Sequence, residues 1–137
     1  MRDIMTEQTD LTKIYTIELS KYRENLDSLN AKRRELLALK RKEKTYSALL
    51  DAKKNVHQKQ MFEQIEKEGK KTNESMRDVM LSESLSKDTE YKDTMVLFEE
   101  NKGKQQDLEL DIMQYDEETR YWRYVIATLN ANKRGDL

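Results

Sequence analysis

The stretch YKDTMVLFEENKGKQQDLELDIMQYDEETRYWRYVIATL, Tyr91–Leu129, carries one rule from end to end. Tyr91, Phe98, Leu108, Ile112, Tyr115, Trp122, Ile126 and Leu129 fall on alternating steps of three and four once Thr94, Asn101, Gln105 and Thr119 are admitted to the same row. Such a row marks a helix that hides one narrow stripe, and its polar members lower stability while fixing register. Gly103, inside ENKGKQQD, is expected to loosen or kink a turn, at about 1 kcal/mol relative to alanine.

Working upstream, the same spacing runs through Tyr15, Leu19, Tyr22, Leu26 and Leu29 and reaches Leu36 after Arg33 intrudes at a row position. Asp10 or Thr9 is the expected N-cap, because a short side-chain oxygen can accept from the first unpaired amides of a helix. From near residue 10 this helix can continue to about Gly69, either as a coiled coil or with a bend or break between Lys44 and Gln60. Asn73 is placed to cap a short helix carrying Met76, Val79, Met80 and Leu81, and Ser86 within SESLSKD is expected to cap the next. The expectation is a single all-α domain of long helical hairpin or coiled-coil-like arms with a short helix at the join. Its helices are expected over 10–68, 74–85 and 88–130, with a frayed tail over 131–137.

Composition supports thin helices. Of 137 residues, 36% are hydrophobic and 39% charged, with no proline and three glycines, too polar for one large core and too favourable to helix for disorder. Narrow stripes need covering, so a homo-oligomer is expected over a free monomer. The absence of cysteine excludes a disulfide framework and a thiolate metal site, which fits a reducing compartment. The charged opening MRDIMTEQTD offers no apolar run for a signal peptide or a membrane span, so a cytoplasmic protein with no membrane association is expected.

The net charge of −1 hides a segregation: residues 1–31 carry −2, 32–71 carry +7, 72–118 carry −9 and 119–137 carry +3. Within the basic segment, Leu29, Leu36, Leu39, Tyr46 and Leu50 share one apolar arc. At about 100° per residue with Lys32 as origin, Lys40 falls at about 80°, Arg33 at about 100°, Lys44 at about 120°, Arg41 at about 180° and Arg34 at about 200°. These cations share a side, Leu37 stands among them, and Glu35 and Glu43 are too few to neutralise them. Something negative is expected opposite. One candidate is the acidic second arm, through residues such as Asp107, Glu109 and Asp116. The other is a polyanion, single-stranded DNA above all, with Tyr46 offering a base a flat surface.

Catalytic and metal chemistry find little to work with. His57 is the only histidine, expected as an ordinary surface residue. EGKKT, Glu68 to Thr72, ends like a phosphate loop, but Gln64 stands where the first glycine is needed. Glu99–Glu100 and Glu117–Glu118 diverge around a helix, so neither is expected to form a general-acid pair. Matches of three letters at Asn73 and at Arg134 carry meaning only outside a cell. No catalytic residue, cofactor site or metal site is expected, and no enzyme activity.

ALKRKEKTYSA, Ala38 to Ala48, resembles the Ala-Leu-Lys, basic residue, Tyr-Ser-Gly signature of the UvsY-type recombination mediators of tailed phages. DLTKI, Asp10 to Ile14, is similar to that family's Asp-x-Thr-Lys-aliphatic segment, and SMRDVMLSESLSKD to its Met-basic-x-x-aliphatic stretch. Together these cover about half the chain loosely, and only the first has any specificity. The chain departs from the pattern at Thr45-Tyr46, where the family pairs tyrosines, at Ala48 in place of glycine, and at Glu43 and Lys44 in place of an apolar and an acidic residue. The resemblance implies an all-helical oligomer that binds single-stranded DNA and helps a recombinase displace the single-strand-binding protein. It implies DNA contacts at Lys40, Arg41 and Lys42 and assembly through the helix around Trp122 and Ile126.

The resulting expectation is a phage accessory protein of the host cytoplasm that binds single-stranded DNA through Arg33, Arg34, Lys40, Arg41, Lys42, Lys44 and Tyr46. Assembly is expected through Leu108, Ile112, Tyr115, Trp122, Ile126 and Leu129. The competing expectation is a structural or adaptor coiled coil, for instance an inhibitor of a host protein, whose basic segment is neutralised by its acidic one.

Overall fold

A computed structural model describes the backbone of residues 4–134 and the side chains of 10–132. It contains α1 (Ile4–Glu68), α2 (Glu74–Ser86) and α3 (Thr89–Arg134), with no strand among the described residues. The protein is all-α, as the spacing predicts.

The helix boundaries follow from local chemistry. α1 begins at Ile4 rather than near residue 10 and continues without interruption to Glu68, because no glycine or proline interrupts that span. Asp10 therefore lies inside the helix, half-buried, and the side chain of Thr9 lies outside the described residues. Gly69 ends it in the left-handed conformation, φ +64°, with its amide donating to the Ile65 carbonyl at 3.0 Å. Only glycine adopts that φ without steric cost. Asn73 caps α2 by accepting from the Met76 amide at 2.8 Å. The cap of α3 is Asp88 rather than Ser86: its Oδ1 accepts from the Tyr91 amide at 3.1 Å, whereas the Ser86 hydroxyl turns back to the Glu83 carbonyl. α3 passes through Gly103 as helix and reaches Arg134, beyond the expected end at 130; residues 135–137 of the expected frayed tail lie outside the described residues.

The chain forms two compact units. In the first, residues 1–37 and 107–137, α1 and α3 run antiparallel. Leu29, 2% exposed, and Leu108 are its buried apolar residues, joined by buried Asn25 and Thr119. Asn25 Nδ2 donates to Thr119 Oγ1 at 2.6 Å and to the Tyr115 carbonyl at 3.1 Å, so both amide hydrogens are satisfied. Lys32, half-buried, occupies the row position between Leu29 and Leu36 expected for Arg33, which is exposed. Steps of three and four from Asn25 through Leu29 land on residue 32, and the lysine stem can lie along the row while its ammonium reaches out to Asp111 at 3.9 Å.

In the second unit, residues 38–106, the rest of α1 packs with α2 and the start of α3. Leu50, Met61 and Leu85 are buried, together with Asn101 and Gln105. Gln105 Nε2 donates both to Asn101 Oδ1 and to Glu43 Oε2, the latter at 2.9 Å. The row on α3 thus carries its polar members inside, where their hydrogen bonds are met.

Candidate nucleic-acid interface

The second unit holds the basic turn of α1. Lys40, Arg41, Lys42 and Lys44 are all exposed, and among the described residues none of them forms an ion pair. Helix geometry explains the arrangement. Leu39, Glu43, Tyr46 and Leu50 are drawn to the covered side, which leaves the intervening cations on the outer side. Glu43 is the only carboxylate of residues 40–46, and it is half-buried and occupied by the Gln105 amide. The acid that could neutralise this turn therefore faces inward. Tyr46 is half-buried in the same row as Leu50, so its packing role is served first.

Two further cations belong to this unit and are not singled out by the sequence reading. Lys102 and Lys104 of α3 are exposed, and Lys102 Nζ lies 4.3 Å from the Phe98 ring centre. The register that sets Gln105 beside Glu43 brings them to the level of the basic turn. Their positions flanking Gly103 were legible in the sequence; the pairing of Gln105 with Glu43, 62 residues away, was not.

The first unit treats its two expected contacts differently. Arg33 Nη2 donates to Asp116 Oδ1 at 3.0 Å, whereas Arg34 is exposed and forms no ion pair among the described residues. Asp107 and Glu109, the other carboxylates expected to neutralise the basic segment, are exposed and unpaired among the described residues. Of the residues expected to assemble copies, Leu108 is buried and Ile112, Tyr115, Trp122, Ile126 and Leu129 are half-buried. α1 already lies against this face, with Asn25 on Tyr115 and Thr119 and with Lys21 Nζ 5.5 Å from a Trp122 ring centre.

His57 is not an ordinary surface residue. Its Nε2 donates to Asp88 Oδ2 at 2.7 Å, since a carboxylate only accepts, and its Nδ1 shares a hydrogen bond with the Ser84 hydroxyl. Asp88 Oδ2 also lies 3.4 Å from Lys53 Nζ, which reaches Glu90 at 2.7 Å. One carboxylate thus caps α3 and binds two side chains of α1, while the imidazole reaches α2. Hydroxyl, imidazole and carboxylate stand in the order of a nucleophilic relay, but the Lys87 and Asp88 amides beside Ser84 already donate to the Ser84 and Leu85 carbonyls. The arrangement joins side chains of three helices at their junction. Its signal in the sequence is the Lys53–His57 pair at row positions of α1, which calls for polar partners on the facing helices. Among the described residues no group of His, Asp and Glu is placed to hold a metal ion, and no helix is long and apolar enough to cross a membrane.

The His57 hydrogen bond, followed by the Tyr91 amide and Lys53, lowers the Asp88 carboxyl to about 2 against the opposing effect of burial. A carboxyl lowered by folding adds stability above its unfolded value of about 4, and that stability disappears as pH falls through about 2. The urea midpoint of the parent chain should therefore exceed that of Asp88→Asn at pH 6, with the gap closing between about pH 4 and 2. A gap that stays constant through this window would show that another group carries the acid sensitivity.

No protein-family model matches the chain, and no curated protein or solved structure matches it.

Proposed function

We propose that this protein binds single-stranded DNA through the Lys40–Lys44 turn of α1, as a repeated subunit of a homo-oligomer that helps a recombinase load onto DNA coated by a single-strand-binding protein. The observation that carries the binding reading is the unneutralised turn. Its four cations point outward while its one acid, Glu43, is held inward by Gln105. Such a turn attracts phosphates by releasing their condensed counterions, and it carries no array of side chains suited to reading base edges. A flexible strand can follow a short cationic surface, and several copies sharing one strand convert weak contacts into useful affinity. The recombination role draws on the resemblance of Ala38–Ala48 to the mediator signature.

The test is a titration of labelled oligo-dT at several salt concentrations. With about 0.7 counterions released per phosphate contact, four contacts give a log–log slope of roughly −3. A slope near zero removes the proposal.

A second reading has its own support. Arg33–Asp116 and Lys32–Asp111 show part of the basic segment neutralised by the acidic arm, as in a structural or adaptor protein. That reading expects no binding in the same titration.

A further inference from the structure

Within the first unit, α3 presents a second apolar stripe on the side away from α1. Leu110, Met113, Tyr121 and Tyr124 are 65%, 60%, 60% and 71% exposed. With Glu117 between Met113 and Tyr121, they recur at steps of three and four and share an arc of about 80°, roughly opposite the row from Leu108 to Leu129. An exposed apolar stripe on a charged helix, interrupted at its middle by Glu117, is a docking surface in search of an occupant.

Charge identifies that occupant. Residues 106–118 contain six acids, Asp107, Glu109, Asp111, Asp116, Glu117 and Glu118, and no base, whereas 119–134 contain four bases, Arg120, Arg123, Lys133 and Arg134, and no acid. Two such helices laid antiparallel set each acidic half on the other's basic half, and a two-fold axis repeats every contact. Laid parallel, they oppose like charges. Glu117 and Arg120 lie on or beside the stripe, are exposed, and form no ion pair among the described residues, so both are free for an external partner.

We infer that α3 is the contact of a homodimer in which the Leu110–Tyr124 stripes of two copies pack antiparallel. Glu117 of each copy meets Arg120 of the other, and Met113 of each packs on Tyr124 of the other. The stripe runs along about 21 Å of helix, at 1.5 Å per residue. This inference rests on the assembly part of the function proposed above and is independent of the nucleic-acid part. It also transfers the assembly role from the row facing α1 to the stripe facing away from it.

Sedimentation equilibrium of the full chain without DNA is expected to show two-chain mass. Glu117→Arg or Arg120→Glu alone should raise the dissociation constant at least about tenfold, since each puts like charges together twice by symmetry, and the double variant should recover the parent value. Both sites are exposed, so circular dichroism should report unchanged helix content. Because the chain has no cysteine of its own, orientation can be read by cross-linking. Met113→Cys mixed with Tyr124→Cys should give a mixed disulfide, and Met113→Cys alone should give none. Three results would each overturn the inference: single-chain mass at all soluble concentrations, assembly indifferent to the charge exchange, or Met113→Cys linking to itself. A single chain that binds oligo-dT defeats this inference and the assembly part of the function while leaving the nucleic-acid part standing, and a dimer that does not bind defeats the nucleic-acid part alone.

Discussion

Replacing Lys40, Arg41 and Lys44 together by glutamate should lower the affinity for single-stranded DNA by about 100-fold or more near 0.1 M salt and flatten its salt dependence. Each substitution removes a cation that no carboxylate among the described residues neutralises and places an anion against the phosphates. Affinity changes about tenfold for every 1.4 kcal/mol, so three reversals of modest effect multiply. Stability should hardly change, because among the described residues these side chains have no ion-pair partner to lose, and the exchange replaces one set of exposed like charges by another of opposite sign. The matching control is Lys54→Glu, Lys59→Glu and Lys67→Glu, which alters net charge equally on exposed positions of the same helix. Fluorescence anisotropy of labelled oligo-dT separates the two. Equal loss in both triples would mean that binding follows overall charge and not this turn.

Truncation of Leu29 to alanine should destabilise the protein by about 3 kcal/mol, the largest effect expected of any single apolar truncation. At 2% exposure it is the most completely covered side chain among the described residues of the first unit, adjacent along the row to the Asn25–Thr119 hydrogen bond and to Lys32. The lost methyl groups forfeit their transfer energy, and a cavity beside a buried amide is not easily closed by moving that amide. Leu37, 51% exposed on the same helix, supplies the contrast, with Leu37→Ala expected to change stability by no more than about 0.5 kcal/mol. Urea unfolding followed by circular dichroism measures both. A Leu29→Ala cost below about 1 kcal/mol would show that the α1–α3 row contributes little to folding.

These two leucines also show what could be read without coordinates. Steps of three and four select one side of a helix, so residues such as Leu29, Leu50, Asn101, Gln105, Leu108 and Thr119 are legible as a covered row from spacing alone. The helix breaks at Gly69 and Asn73 are equally legible, since a glycine free to take positive φ and an asparagine that accepts from an amide act on their immediate neighbours. The cap of α3 was displaced because several nearby oxygens compete for such a role, and a cap is decided by which one reaches a free amide.

Chain order and helical period determined the class of fold, the covered rows and the location of the basic turn. Tertiary structure alone decided which charges are spent. Arg33 meets Asp116 across 83 residues while Arg34 beside it forms no ion pair among the described residues, Glu43 is withdrawn by Gln105, and His57 finds Asp88 rather than solvent. A one-dimensional pattern says which way a side chain points around its own helix. It does not contain the register between two helices, and an ion pair that exists at 3 Å and vanishes one turn away depends on that register.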